Sequence, residues 1–494
     1  MLKLGIVAVV MAVVVVVGLL YRHQRRKLGK HHPPLIWSFL PGDFGRLIQL
    51  LLVNHHLYDY AVEQTAKLGW VWCFSLPFRN PIYVVVHPDD VAHILHHNAS
   101  NYIKGRETHD ALADMLGEGI FTVDGDRWKR QRQAGAHLFK NRLLRSAVVV
   151  FYNKVKSNLF PFLGHGKIID VQLLLHNFTM ASFCEIAFGD DGILSSKDTY
   201  EFGRAFDACS RMIQLRQVIS FWRLLPNAPV AHFVNTLDRV LYKIVDARLR
   251  AIRSDRSALD DNEDVISRFV SIPPENAGGL DFSDRKTLRD VAINFILAGR
   301  DTTAQLLTWS LYFITTTAGV EQKLLAEWEA AGLPISPLPP PPTMEMLKRL
   351  KYTKAVLDES LRLRPPVPLD FKEAVSADVL PKTKQVIPPN TLITWSAYVM
   401  GRQQSLWGDD VALFRPERWL ESNVEPTRSP VFQGPGPRLC LGQNFAYLEA
   451  KCVLYMLLCR YHFEVPRGKR PPYVQVGITL KAGNGVHLRA TERE

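Results

Sequence analysis

The sequence predicts a mainly α fold with a small β-sheet region, a single large domain behind an N-terminal transmembrane helix. Three observations predict it: helical periodicity over most of the chain, two short strand-like runs, and one Pro-containing linker with no second linker to divide the remainder. The 494 residues are 47% hydrophobic, ample for a sizeable core.

The elements follow in chain order. Leu4 to Tyr21 is uncharged and aliphatic over about eighteen residues, near the lower limit for crossing a bilayer as a helix. It ends in RHQRRKLGK, whose Arg22, Arg25, Arg26, Lys27 and Lys30 face Lys3 alone on the other side. That pattern reads as an uncleaved anchor with the bulk of the chain in the cytoplasm. Residues 1–21 are therefore expected to be the anchor, 22–45 a basic and Pro-containing linker, and 46–494 the folded domain. On this topology the sequons at Asn98 and Asn177 carry no glycan. Strands are expected over Pro81–His87 and Thr391–Val399. A helix of about 35 residues is expected over Phe282–Thr317, roughly 50 Å long. Its middle sets Arg300, Asp301, Thr302 and Thr303 inside an apolar span, after Ala298-Gly299, where glycine and hydroxyl back-bonding loosen a helix. LPISPLPPPPT, Leu333 to Thr343, reads as an exposed polyproline loop.

Several function classes drop out. The net charge of +12 owes five charges to the juxtamembrane stretch, and no basic repeat accompanies it, so anionic lipid and an acidic protein partner are expected rather than nucleic acid. Six cysteines without CxxC pairs argue against a disulfide framework or a zinc site. His93, His96 and His97 share a helix face but have no Cys or carboxylate near them in the chain to complete a metal site.

GPRLCLGQNFAYLEAK, Gly436 to Lys451, carries the chemistry. Cys440 opens a helical pattern, and a thiol at a helix N-terminus meets free N–H groups and the positive end of the dipole, which favour thiolate, the form that binds iron. Gly436 and Gly442 permit close approach of a flat ligand and donation of N–H groups towards sulfur, and Arg438 is placed to meet a carboxylate.

GPRLCLG resembles the haem-binding loop of the cytochrome P450 family, and other motifs match in the family's order. The resemblance implies a P450 fold and haem b, with an axial thiolate from Cys440 that favours O–O cleavage. It implies that Trp128 and Arg132 in DGDRWKRQR bond the haem propionates, that Ala298 to Thr303 activates oxygen with Asp301 and Thr302 as acid and alcohol, and that Glu359, Arg362 and Arg418 form a buried ion-pair triad. The family's Phe stands seven residues before the cysteine, but here that position is Gln433 and Phe432 lies eight before. Either the loop bulges so that Phe432 covers the sulfur face, which is expected, or Gln433 lies there.

The chain has no dinucleotide-binding motif, so electrons must come from a partner. The resemblance implies NADPH–cytochrome P450 reductase with its NADPH, FAD and FMN, with cytochrome b5 as an optional second donor, at the endoplasmic reticulum membrane. Lys129 and Arg130 are candidates for its docking face. LGEGIFTVDGDRWKRQR, FILAGRDTT, VPLDFKEAVSADVLP and YVMGRQQSLWGDDVALFRPERW are similar to the fatty-acid ω-hydroxylases of plants and fungi. That implies hydroxylation of a medium- or long-chain fatty acid at or near the methyl end, under a roof that includes Phe202–Trp222 with Arg211 and Arg216. Hydroxylation of alkanes, sterols or xenobiotics is the nearest competitor. A hydroperoxide isomerase or dehydratase of the family typically lacks the distal Thr, and a haem sensor or carrier without turnover is the remaining class.

Overall fold

The computed structural model describes residues 35–36, 57–74, 80–164, 166–189, 194–218, 222–224, 227–254, 264–273, 279–421, 429–432, 434 and 436–493. The expected anchor lies outside the described residues, as does the linker apart from Leu35–Ile36. Among the described residues no helix is long and apolar enough to cross a membrane.

Helices dominate. Those that position the site are α1 (Gly105–Leu116), α2 (Gly125–Ala136), α3 (Asn141–Asn158), α4 (Val171–Phe188), α5 (Ser196–Val218), α6 (Ala228–Ser254), α7 (Arg285–Ile296), α8 (Thr302–Thr316), α9 (Lys351–Leu363) and α10 (Gln443–Arg460). α6 packs on α5 and α7, while α8 packs on α4, α9 and α10, and α10 lies against α3. The core is continuous through these contacts and is rich in aromatic edges: the Phe445 ring meets Phe151 at 5.1 Å and Phe183 at 6.0 Å, both T-shaped. Such pairs add about 0.5–1.5 kcal/mol each beyond burial.

The long central helix runs from Arg285 to Thr316. It starts three residues later than the periodicity predicts because Asp284 caps it, accepting from Thr287 N at 2.8 Å. Its middle, Leu297–Asp301, is a π-turn. Hydroxyls replace the displaced backbone donors there: Thr302 Oγ1 donates to Ala298 O at 2.6 Å, and Thr179 Oγ1 of α4 donates to Arg300 O at 2.7 Å. The loosening expected at Ala298-Gly299 is thus one inserted residue in an otherwise unbroken rod.

Six short strands form the main sheet: β1 (Leu35–Ile36), β2 (Val71–Phe74), β3 (Ile82–Val85), β4 (Tyr102–Ile103), β5 (Asp370–Ala374) and β6 (Leu392–Trp395), in the order β1-β2-β3-β6-β5-β4. β1–β2 and β3–β6 pair parallel, the others antiparallel. The strand expected to reach Val399 stops at Trp395, because Ser396 accepts from Val399 N at 3.2 Å and caps a short helix, Ala397–Met400. The polyproline loop is tied down by Tyr152, which donates to Pro339 O, and Tyr455, which donates to Pro334 O.

Candidate active site

Two sets of elements wall one apolar cavity. The α7–π-turn–α8 rod contributes Asn294, Phe295, Ala298, Gly299, Thr302, Thr303 and Leu306, and the segment around the cysteine contributes Val431, Phe432, Arg438 to Gly442, Phe445 and Ala446. Trp128 and Arg132 of α2, with Ile120 and Phe121 just before it, close a further side.

Cys440 does not begin α10; Gly442 is its N-cap and the helix starts at Gln443. The sulfur opens onto the cavity, and the N–H groups of Gly442 and Gln443 are aimed at it. Burial pushes the thiol above its ordinary value, and those two N–H groups and Arg132 oppose this without overcoming it. Cys440 N donates to Phe432 O at 3.0 Å, which closes the loop and sets Phe432 on the cavity wall, its ring 5.4 Å from Tyr447. Gln433 lies outside the described residues. Gly436, at φ 130°, is required by close approach, since a Cβ there would lie 2.0 Å from Leu95 O. A Cβ on Gly442 would instead point towards Sγ at 4.0 Å, in ordinary contact.

Cations gather at the α2 end of the cavity. Arg132 donates to Leu439 O at 2.7 Å, and Arg438 lies 4.3 Å over the Trp128 ring and pairs with Asp124 at 2.6 Å. The carboxylate found for Arg438 is thus one of the protein's own. Lys104 pairs with Asp370 at 2.7 Å, and both line the cavity. Lys372, two residues on in β5, is buried and does not line the cavity. Burial, followed by Lys104 and Arg438, holds its ammonium well below the usual lysine range. Sequence reasoning missed Asp124, Lys104, Asp370 and Lys372; the D-x-K spacing that puts Asp370 and Lys372 on one face becomes a signal only once β5 is known to be a strand.

Asp301 is not on the cavity wall. Its carboxylate is fully buried on the opposite side of the π-turn, against Arg300, Lys481 Nζ at 3.1 Å, Thr479 Oγ1 at 2.9 Å and His176 Nε2 at 3.7 Å. Burial alone would raise its pKa, but Lys481 and Arg300 hold it well below the usual carboxylate range. Burial with the same two cations takes His176 down to about 4, so it is neutral. Lys481 also reaches Asp207 at 2.5 Å, whose side chain is 40% exposed, so the cluster runs from the π-turn to the surface. Thr302 does line the cavity, its hydroxyl proton committed to Ala298 O and its oxygen left as an acceptor. The room left by Gly299 is taken by the Phe183 ring, which a Cβ would meet at 2.1 Å.

Glu359, Arg362 and Arg418 come together as a buried cluster. Arg362 holds Glu359 through two bonds of 2.7 and 2.8 Å and donates to the carbonyls of Gly401, Val411 and Leu413; Arg418 Nε meets Glu359 at 3.0 Å. Trp419 Nε1 and Arg415 N complete the carboxylate's shell at 2.9 Å each. Of the two roof arginines, Arg211 is exposed, whereas Arg216 is buried and paired with Asp114 at 2.8 Å. Lys129 and Arg130 are exposed on α2. His93 bonds Asp378 at 2.9 Å, and no cluster that could hold a metal through three His, Cys, Asp or Glu side chains occurs among the described residues. Asn98 bonds Asp378, and Asn177 is exposed.

A thiol with N–H groups aimed at its sulfur, aromatic and aliphatic walls, and Lys104, Arg132 and Arg438 collected at one end suit a flat, apolar, thiolate-ligated macrocycle that carries carboxylates on one edge. A family model described as Cytochrome P450 matches residues 40–488. Cytochrome P450 704C1 of Pinus taeda is 31% identical over 507 aligned residues, covering 96% of this chain and 94% of its own. Cytochrome P450 CYP94D108 of Paris polyphylla is 33% identical, with 92% of each chain covered. Alkane hydroxylase MAH1 of Arabidopsis thaliana is 29% identical, over 92% of this chain and 93% of its own. The chain belongs to the cytochrome P450 family of haem-thiolate monooxygenases, which take electrons from a redox partner.

Proposed function

We propose that this monooxygenase hydroxylates a medium- or long-chain fatty acid at or near its methyl end, and that Cys440 would hold the haem iron through its sulfur. The observation that carries the reading is the cavity itself: beyond the cationic end its walls are Ile120, Phe121, Phe295, Ala298, Leu306, Leu361 and Val367, a surface for an extended hydrocarbon. When bound, the haem supplies dioxygen activation, with electrons delivered by NADPH–cytochrome P450 reductase. Arg132 and Arg438 would hold its propionates, and Trp128 would support them. The Glu359–Arg362–Arg418 cluster would keep the segment before Cys440 in place. Thr302 Oγ1 accepts a hydrogen bond inside the cavity, and Asp301 passes protons inward from the Asp207–Lys481 surface. Exposed Lys129 and Arg130 suit an acidic flavoprotein. The apolar run Leu4–Tyr21 and the cations after it support anchoring in the endoplasmic reticulum membrane, with neither sequon glycosylated.

The likeness to an alkane hydroxylase favours a second reading, in which the substrate is the hydrocarbon without its acid. Incubation of the purified protein with reductase, NADPH and parallel panels of fatty acids and alkanes, with the hydroxyl located by mass spectrometry, tests both. Terminal or near-terminal hydroxy acids are expected; product from alkanes alone would replace the first reading with the second.

A further inference from the structure

The turn that brings Ile120 and Phe121 to the cavity is held from outside itself. Glu118 N donates to Asp290 Oδ2 and Phe121 N to Asn294 Oδ1, each at 3.1 Å. Asn294 Nδ2 donates back to Leu116 O at 2.7 Å and to Asp290 O at 2.8 Å, so one side chain of α7 joins both ends of Leu116–Phe121. Arg289 Nη1 donates to Met115 O at 2.8 Å, and Gln131 Nε2 of α2 to Glu118 O at 2.8 Å. Asp290 and Asn294 are buried on α7 one helical turn apart, and Asn294 lies on the cavity wall beside the two hydrophobic residues it suspends. Burying a carboxylate and an amide in mid-helix costs desolvation, which these matched bonds offset. The fit has no slack: a Cβ on Gly117 would stand 2.0 Å from Asp290 Cγ, and one on Gly119 would stand 1.9 Å from Asn294 Nδ2. In the GEGIF run, glycine is therefore where the side chains of α7 must pass to reach the backbone.

We infer that Asp290 and Asn294 are positioning residues that fix how far Ile120 and Phe121 reach over the cavity, and thereby which carbon of a long apolar substrate is attacked. Methyl C–H bonds are stronger than methylene ones, so attack at a chain end requires walls that keep the inner carbons away. Such walls must be held to a fraction of an ångström, because a shift of about 1 Å alters productive geometry by about a hundredfold. A loop kept in place only by its own residues would yield; one bonded at both ends to a buried helix does not. The inference rests on the reading that a hydrocarbon chain occupies the cavity.

The test uses Asn294→Ala, which releases the turn, Gly119→Ala, which wedges it, and the double variant, all in the haem-loaded full chain. Two readouts are taken: the positions of hydroxylation on a saturated fatty acid, and the ratio of affinities for a linear alkyl imidazole and an adamantyl imidazole, seen as the Soret shift. Both single variants are expected to spread the product inward from the methyl end and to lower the linear-to-bulky ratio about tenfold. The double variant should match Asn294→Ala, since removing the amide removes what the new Cβ would strike. Unchanged ratios and positions in the loaded variants overturn the inference. If Asn294→Ala does not load haem, Asp290→Asn and Gly119→Ala carry the same comparison. A wild-type protein that oxidises neither acids nor alkanes sinks the proposed function instead, while the imidazole ratio still reports on the turn.

Discussion

Two buried charge clusters flank the cavity, and they are built differently. Around Glu359 every direction is sealed: two arginines, an indole N–H and a backbone N–H surround the carboxylate, and the spare donors of Arg362 end on three carbonyls. Around Asp301 the partners are a lysine, an arginine, a threonine and a neutral histidine, and the chain of charges emerges at half-exposed Asp207. A closed cluster can only hold things still. An open one can exchange a proton with water, so the same residue types suit a frame in one place and, on the function proposed above, a conduit in the other.

Four measurements break or sharpen that contrast. The largest effect is expected for Glu359→Ala, which leaves two buried arginines unmatched at a cost of about 3–5 kcal/mol. The haem-to-protein ratio and the ferrous carbon monoxide spectrum should both collapse, and a full spectrum would show that the cluster is not a frame. Asp301→Asn comes next: Asp207 still faces Arg300 and Lys481, so haem should remain, while turnover falls about a hundredfold. Loss of haem in this variant would make the two clusters alike.

Lys481→Met tests the charge balance. Asp301, held below the usual range, contributes stability above the ordinary carboxylate pKa that is lost as pH falls through its folded value. Without Lys481 that folded value rises, so acid unfolding of the variant should begin at higher pH than in the wild type. The last measurement concerns a third carboxyl. Glu449 of α10 accepts from Ser182 Oγ at 2.7 Å and has no cation beside it among the described residues; burial takes it up to about 8. Its folded value lies above its unfolded one, so stability is greatest below the unfolded pKa and declines as pH rises towards 8. Glu449→Gln should remove this decline, worth up to about 1.4 kcal/mol per pH unit, as read by thermal unfolding between acid and mildly alkaline pH.

How legible the molecule was depended on whether a residue acts through its neighbours in the chain. The helical rod, its weak point at Ala298-Gly299 and the i,i+3 pair Glu359–Arg362 are local, and the sequence shows them. Cys440 is legible for the same reason, since glycine, arginine and helix all lie within a few positions of it. The direction in which Asp301 points is not legible, because Lys481 and Thr479 lie some 180 residues away and nothing near Asp301 names them. Arg438 looked free for a ligand until Asp124 was placed beside it by the fold. Asn294 and Asp290 read as two more polar residues on a long helix, and only the glycines opposite them show their use.

The inserted residue in the central rod carries a genetic consequence. A coding sequence that lost one codon between positions 297 and 301 would keep its reading frame, and ordinary α geometry would close the turn while the flanking helices kept the faces they now present. What would be lost is the local widening at Ala298-Gly299, whose carbonyls the Thr302 and Thr179 hydroxyls now serve. Length at this point therefore sets the shape of the cavity wall, and a relative aligned with a gap here would carry a straight helix in place of the bulge.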